Sequence, residues 1–287
     1  MNRLRIGTAG IPLSTKMRST SAGIKRLVEL ELDCMELEFV RSVSMNSATA
    51  EDVKKLCAAT GIELTVHAPY YVNLNSQEPD KVAASKERVL KAARIGWIAG
   101  AQSVVFHAAY YHDKPHEEAY QKVKQELIEL RRKLDAEGIS ICLRPETTGS
   151  LSQFGTVEET VRLAGEIPGV FPCIDWSHLH ARSQGAYNTY EEICQVLEFV
   201  QTELGKEALT QLHMHISGID YGAKGEKKHL VLTESDMNYQ AVLQALVEYN
   251  VGGWLICESP NLETDALLLK QEYNRLLNLA KEEKIHE

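Results

Sequence analysis

Eight short apolar runs of β-type sequence recur along the chain, and segments with helical periodicity separate them. The runs span residues 3–8, 34–39, 63–67, 103–108, 140–146, 171–175, 211–217 and 254–258. Apolar residues recur at helical spacing between the runs, for example at residues 20–31, 78–99, 116–137, 187–203, 237–249 and 262–281. Strands that alternate with helices indicate βαβ units, whose strands pair in parallel. Eight such units predict an α/β fold over residues 1–287, a single (β/α)8 TIM-barrel domain.

Two threonines mark predicted helix starts. Thr49 precedes Ala50-Glu51-Asp52, and Thr156 precedes Val157-Glu158-Glu159. A threonine hydroxyl at this position accepts a hydrogen bond from an open amide of the first helical turn. The sequence therefore predicts helices that begin directly after Thr49 and Thr156.

From the third run onward, each run ends in or near a histidine, aspartate or glutamate. In chain order these residues are His67, His107, Glu146, Asp175 followed by His178, His215 and Glu258. Burying them without partners would be costly, whereas zinc binds both imidazole nitrogen and carboxylate oxygen. In a TIM barrel the carboxyl ends of all strands meet at one mouth. The sequence therefore predicts a metal site there, which the alternative fold, a doubly wound sheet, does not explain.

Two further histidines lie close to these residues in the sequence. Residues two apart on a strand point to the same face, so both His213 and His215 are expected to face the barrel axis. Only His215 is near the carboxyl end of its run, so we expect His213 to be a deeper residue that packs or supports a ligand. We expect His180 to hydrogen-bond to a neighbour rather than to bind metal.

The charge of the chain lowers the expectation of nucleic-acid binding without removing it. The formal net charge is −9, whereas proteins that bind polyanions usually carry a basic footprint. Bound divalent ions would add positive charge where the ligands cluster. The run Lys224-Gly225-Glu226-Lys227-Lys228-His229 is also locally basic.

Composition and local patterns exclude several other classes. Apolar and charged residues make up 44% and 25% of the chain, as in globular proteins, and no apolar stretch reaches the roughly 20 residues that span a bilayer. The N-terminal segment shows no signal-peptide pattern, and the six cysteines form no CxxC pair. We therefore expect a cytoplasmic protein without a disulfide framework. Gly7-Thr8-Ala9-Gly10 is typical of a tight turn, so no nucleotide cofactor is expected.

The ordered set of strand ends resembles the endonuclease IV family of apurinic/apyrimidinic-site endonucleases, within the wider xylose-isomerase-like barrel superfamily. The resemblance covers most of the chain. The elements that carry it are His67-Ala68-Pro69-Tyr70-Tyr71-Val72-Asn73-Leu74, Phe106-His107, Pro145-Glu146-Thr147-Thr148-Gly149, Ile174-Asp175-Trp176-Ser177-His178, His215-Ile216-Ser217 and Cys257-Glu258-Ser259-Pro260.

The resemblance implies two or three zinc ions per chain, with manganese as an alternative. It places the first ion on His67, His107 and Glu146. Glu146, the implied catalytic residue, would bridge to a second ion whose other ligands are Asp175, His215 and Glu258. His178 and His229 would hold the third.

The chain departs from the family pattern at two places. Two residues before His229 the family usually has an aspartate, and this chain has Lys227. Either Glu226 reaches the third metal instead, or Lys227 contributes an ammonium group toward phosphate. The family's arginine-containing loop after the second strand is not recognisable in residues 39–43, so its DNA contacts are not carried over.

The resemblance also implies an activity and a partner. The reaction would be hydrolysis of the phosphodiester 5′ to an abasic nucleotide in double-stranded DNA, leaving a 3′-hydroxyl and a 5′-deoxyribose phosphate. The abasic nucleotide would be flipped out of the duplex. Tyr70 and Asn73 match the family's DNA-facing loop, and Lys224, Lys227 and Lys228 are expected to contact phosphates. The protein is expected to be a monomer without affinity for membranes.

Two rival interpretations remain at this point. A sugar isomerase or epimerase of the same superfamily would need one divalent metal, which Glu146, Asp175, His215 and Glu258 would hold. The acidic charge favours this rival, and the larger number of ligands favours the nuclease. The second rival is a binding or regulatory barrel that has kept metals and lost turnover.

Overall fold

In a computed structural model that describes residues 2–286, the eight predicted runs form a ring of parallel strands. The strands are β1 (Leu4–Ala9), β2 (Cys34–Glu38), β3 (Glu63–His67), β4 (Ser103–Phe106), β5 (Cys142–Pro145), β6 (Cys173–Asp175), β7 (Leu212–Ile216) and β8 (Gly253–Cys257). They pair in the order β5-β4-β3-β2-β1-β8-β7-β6. Isolated parallel bridges, Leu143 to Val170 and Glu146 to Cys173, join the two end strands. The predicted TIM barrel is confirmed.

Helices surround the ring. They are α1 (Thr20–Glu29), α2 (Ser47–Thr60), α3 (Pro79–Ala99), α4 (His116–Ala136), α5 (Val157–Glu166), α6 (Trp176–Arg182), α7 (Tyr190–Leu204), α8 (Tyr239–Glu248) and α9 (Glu263–His286). Each long helix turns an apolar stripe toward the strands, as Leu127, Leu130 and Leu134 of α4 illustrate, since all three are fully buried. The main hydrophobic core therefore lies between the strands and the helices. No helix within residues 2–286 is long and apolar enough to cross a membrane.

One of the two predicted helix starts is confirmed and the other is wrong. Thr156 caps α5, and with Glu159 it forms a reciprocal capping box. Helix α2 begins at Ser47 rather than after Thr49. The side chain of Asn46 accepts a hydrogen bond from the Thr49 amide at 2.9 Å. Asparagine is a better cap than threonine, and Asn46 lies three residues earlier, so the helix begins there.

The inside of the barrel changes character from one end to the other. At the amino end of the strands, the Arg144 guanidinium lies over the rings of Phe171 and Trp254 and donates to backbone carbonyls. Toward the carboxyl end, inward-facing positions carry acids and histidines instead, such as Glu36 and His215, both fully buried. The polar site therefore lies in the half of the barrel interior that is nearer the carboxyl ends of the strands.

Two pairs of short antiparallel strands lie at the mouth formed by the carboxyl ends of the barrel strands. Ala109–Tyr110 pairs with Gln153–Phe154, which ties the loops after β4 and β5 together. Gly218–Gly222 pairs with Gly225–Leu230 to form a hairpin after β7. This hairpin carries four of the residues singled out in the sequence, Glu226, Lys227, Lys228 and His229.

Candidate metal centre

The turn from β6 into α6 presents two of the predicted ligands together. Asp175 ends β6 and is also the N-cap of α6, and its Oδ1 accepts a hydrogen bond from the His178 amide at 2.7 Å. This cap places His178 in the first helical turn. The second carboxylate oxygen of Asp175 is buried and accepts no hydrogen bond from any group in residues 2–286, so it is available to a ligand in the barrel mouth.

The first cluster consists of His67, His107 and Glu146. Their potential ligand atoms all lie within 4.8 Å of one another. Glu146 Oε2 is 3.2 Å from His67 Nε2 and 3.1 Å from His107 Nε2. The strand ends of β3, β4 and β5 thus bring these residues together, as expected from parallel neighbours.

The second cluster consists of Glu146, Asp175, His215 and Glu258, again with potential ligand atoms within 4.8 Å of one another. His215 Nδ1 lies 3.1 Å from Glu146 Oε1 and 3.4 Å from Glu258 Oε1. Glu146 therefore turns one oxygen to each of the first two clusters, which is the geometry of a bridging carboxylate.

The third cluster consists of His178, Glu226 and His229. Glu226 Oε2 is 3.3 Å from His178 Nε2, and Glu226 Oε1 is 3.4 Å from His229 Nε2. Gly149, after β5, lies against the cluster, and a Cβ atom there would be 2.6 Å from Glu226 Oε2. Of the two alternatives drawn from the sequence, Glu226 is the residue that the structure brings to His178 and His229.

A β-bulge explains why Glu226 occupies this place. In the hairpin Asp220 pairs with Lys228 and Tyr221 pairs with Glu226, which leaves Lys227 as an extra residue. Residues three apart on a regular strand face opposite sides, and one bulged residue returns them to the same side. Glu226 and His229 can therefore act together. The Lys227 side chain is 59% exposed and lies 3.5 Å from Asp220.

Hydrogen bonds hold the imidazole rings with one nitrogen toward the clusters. His67 Nδ1, His178 Nδ1 and His229 Nδ1 lie 2.8, 3.0 and 3.2 Å from the carbonyl oxygens of Ala68, Thr147 and Glu258 respectively. Because a carbonyl only accepts, each Nδ1 carries the proton and each Nε2 is left toward a cluster. Metal-binding histidines are commonly fixed in this way.

The clusters are assembled from opposite charges. Burial alone would raise the pKa of Glu146, but the nearby imidazoles of His107 and His215 hold it well below its usual range. Burial opposes protonation of His67 and His229, yet Glu146 raises the pKa of His67 to about 10 and Glu226 raises that of His229 to about 9. In the metal-free protein these histidines therefore carry protons at neutral pH.

The residues present fit bound divalent metal. Burial, together with the charges of Glu258 and Glu146, raises the pKa of Asp175 to about 6, so this acid lies where positive charge would be stabilising. Its orphaned oxygen and the inward-turned imidazole nitrogens offer the nitrogen and oxygen donors that zinc prefers. A dication would replace the protons that the histidines carry in its absence.

The two residues predicted to contact DNA differ in their surroundings. The Tyr70 side chain is 50% exposed, and its ring lies edge-on to the His67 ring at 5.3 Å. Asn73 is engaged within the protein: its Nδ2 lies 2.8 Å from His112 Nε2 and its Oδ1 accepts from the Asn75 amide. Tyr70 thus faces the mouth, while Asn73 joins the loops after β3 and β4.

Sequence reasoning missed two carboxylates of β2. Glu36 and Glu38 point into the barrel, and together with Glu258 they form a further acidic group. They also line a cavity of about 640 Å³ between the loops after β1 and β2. The signal was present, because acids two apart on an apolar strand share its inward face. Burial raises the pKa of Glu38 to about 8.

The predictions for the two additional histidines agree with their contacts. His213 is fully buried below the mouth, and its Nε2 lies 3.1 Å from Glu36 Oε2. His180 Nδ1 lies 2.9 Å from the Ala186 carbonyl oxygen, and its Nε2 lies 3.1 Å from Asp236 Oδ1. Both side chains therefore support neighbours.

Comparison with known proteins yields relatives by sequence. An uncharacterized protein of Methanocaldococcus jannaschii is 43% identical over 279 residues, 96% of this chain and 100% of that protein. A probable endonuclease 4 of Acholeplasma laidlawii is 23% identical over 204 residues, 68% of this chain and 67% of the other.

Solved structures of two kinds share the fold. Endonuclease IV from Thermus thermophilus matches with a TM-score of 0.73 at 18% identity, covering 94% of this chain and 99% of that one. A D-tagatose 3-epimerase-like protein also matches with a TM-score of 0.73 at 18% identity, covering 95% of this chain and 99% of that one. At such identities the likeness shows the fold alone.

A family model covers most of the chain. The model described as xylose isomerase-like TIM barrel matches residues 24–279, which include every residue of the three clusters. The chain therefore belongs to the xylose isomerase-like TIM barrel family.

Proposed function

We propose that this protein is a zinc-dependent DNA repair endonuclease that hydrolyses the phosphodiester 5′ to abasic sites in double-stranded DNA. The products would be a 3′-hydroxyl and a 5′-deoxyribose phosphate. The similarity to endonuclease 4 proteins supports this proposal. The three clusters carry the proposed metals, and Glu146 is the catalytic residue shared by the first two.

The observation that carries the proposal is the third cluster. A single-metal isomerase or epimerase site would be complete with the four residues of the second cluster. Such an enzyme would have no use for Glu226 placed between His178 and His229 at 3.3 and 3.4 Å. It would also not need His67 and His107 on the far oxygen of Glu146. A multi-metal phosphodiesterase uses all of them.

The roles of the residues follow from their positions. Bound zinc would lower the pKa of a water molecule and neutralise charge on the scissile phosphate. Glu146, with one oxygen toward each of two clusters, fixes their separation and orients the groups between them. Tyr70, half-exposed beside His67, offers a flat surface at the mouth against which a flipped nucleotide can lie.

Basic residues on the mouth loops supply contacts for the DNA backbone. Lys16 and Arg18 lie in the loop after β1, and Arg41 lies in the loop after β2. Lys224 and Lys228 lie in the hairpin region after β7, and all five side chains are exposed. A chain of net charge −9 thus presents cations around the candidate site. Binding through them would weaken steeply with added salt.

The proposal is tested by incision of a labelled duplex that contains one abasic site, beside the same duplex without the lesion. The zinc-loaded protein should cut the strand that carries the abasic site, 5′ to the lesion. The cut should leave a 3′ end that a polymerase extends. Chelation should abolish the cut and zinc should restore it. A folded, zinc-loaded protein that leaves the abasic duplex intact would overturn the proposal.

The second candidate is a single-metal sugar epimerase, which one observation favours. The cavity of about 640 Å³ beside the second cluster, lined by Glu36 and Glu38, could receive a small polyhydroxylated substrate. Metal analysis separates the candidates, since the epimerase predicts one ion per chain and interconversion of a ketose. Two or three ions without either activity would support a binding barrel instead.

A further inference from the structure

His215 is held differently from His67, His178 and His229. The rings of His67, His178 and His229 are each fixed by a backbone carbonyl. His215 instead turns Nδ1 toward the second cluster and Nε2 toward a side chain, with Glu36 Oε1 at 2.9 Å. Both facing atoms are buried, and within residues 2–286 neither forms a hydrogen bond of regular geometry, with each other or with any other group.

We infer that Glu36 is a positioning residue that orients His215 toward the second metal. Its carboxylate receives the Nε2–H of His215, so that the Nδ1 lone pair points into the cluster. This inference rests on the metal centre of the proposed function and does not depend on the substrate. A carboxylate behind a ligating imidazole fixes its tautomer and ring orientation and strengthens it as a donor.

The surroundings of Glu36 fix its carboxylate in turn. Thr65 Oγ1 donates to Glu36 Oε2 at 2.8 Å, and His213 Nε2 lies 3.1 Å from the same oxygen. Ser103 Oγ lies 2.9 Å from His213 Nδ1. If the hydroxyl donates to Nδ1, the His213 proton is on Nε2, facing Glu36. Groups from β3 and β7 therefore meet on one oxygen of this β2 acid, Ser103 of β4 supports His213 from behind, and the other oxygen is left to His215.

The charge of Glu36 matters because both of its carboxylate oxygens face hydrogen-bond donors and act as acceptors. Replacement by glutamine preserves the volume but turns one oxygen into an amide NH2. That group would face either His213 or His215 with a donor instead of an acceptor. One imidazole then loses its partner, and an unpaired buried donor is costly. In either amide orientation, the isosteric variant removes the negative charge behind His215 without opening a cavity, so the support of this imidazole is weakened.

The test compares Glu36→Gln with Glu126→Gln, a matched change of another buried carboxylate that pairs with Lys86 and Lys122 on the outer helices. Chelator competition with zinc alone, without DNA, reports the affinity of each ion. We expect Glu36→Gln to weaken the binding of one zinc ion by roughly 10- to 100-fold. The remaining ions, and all ions of Glu126→Gln, should bind as in the unmodified protein.

A spectroscopic measurement separates positioning from a merely structural role. In zinc-loaded protein with 15N-labelled histidine, His215 should show a protected Nε2–H resonance, which Glu36→Gln should lose. Should Glu36→Gln fail to fold, Glu36→Asp keeps the charge with a shorter reach and should show an intermediate loss of affinity. Unchanged zinc affinity in either folded variant, or His215 protonated on Nδ1 in the loaded protein, would overturn the inference.

Discussion

At the scale of single residues, Glu146 is the point on which the candidate site converges. Its side chain is 1% exposed, and four imidazoles from different strands and loops lie within 3.3 Å of its two oxygens. One carboxylate thus divides its oxygens between two clusters. Removing its charge would leave those imidazoles facing a neutral group in a buried site, where unpaired charges are costly.

Glu146→Gln should abolish turnover while the barrel remains folded. The amide cannot bridge two metals, so we expect a loss of roughly 100-fold or more in metal affinity or in kcat. Incision kinetics and zinc content measure the loss, and circular dichroism checks the fold. Full activity in Glu146→Gln would contradict the bridging role.

At the scale of the elements, two local devices place ligands that strand ends alone would not supply. The cap of α6 turns Asp175 and His178 toward the mouth from adjoining positions. The bulge at Lys227 rotates Glu226 onto the face of His229. The cap acts through the side chain of Asp175, which is itself a proposed ligand, whereas the bulge is created by Lys227, which need not touch a metal.

Deleting Lys227 should remove the bulge and turn Glu226 away from His178. We expect the deletion variant to lose one zinc ion per chain, as Glu226→Gln should. Lys227→Ala is the matched control, because it keeps the extra residue and should keep every ion while weakening DNA binding slightly. Metal analysis after dialysis measures all three variants. A deletion variant with undiminished zinc content would show that the bulge does not place the third cluster.

At the scale of the whole molecule, the candidate site pairs buried histidines with carboxylates of opposite charge inside the barrel. In the metal-free protein the pKa values of His67 and His229 are about 10 and about 9, against about 6.5 in an unfolded chain. Their pairing with carboxylates therefore stabilises the fold fully below about pH 6.5. This contribution is lost as the pH rises through the folded-state pKa values.

The free energy of unfolding of the metal-free protein should therefore fall between pH 6.5 and 9.5, by on the order of 5 kcal/mol. Urea unfolding after chelation measures the change. The zinc-loaded protein is the control, since its metal-bound histidines are already neutral, and its stability should change less. A metal-free protein of constant or rising stability over this range would contradict the charge pairing.

The sequence by itself determined the barrel and the residues of the first two clusters. Strand and helix periods are local patterns, and parallel strands bring their carboxyl ends to one mouth whatever lies between them. His67, Glu146 and Glu258 could thus be placed together before their geometry was known. The resemblance to endonuclease IV then grouped the residues into separate metal sites.

The tertiary structure decided what depends on exact register. Glu226, rather than Lys227, lies beside His178 and His229 because of a β-bulge. No local sequence pattern predicts this bulge, because one extra residue changes which side chains share a face of the strand without changing its composition. The pairing of Glu36 with His215 required β2 and β7 to meet across the barrel axis. Contacts between distant segments depend on how the barrel closes. The sequence therefore predicts which residues are candidate ligands, whereas the tertiary structure sets how their side chains are oriented.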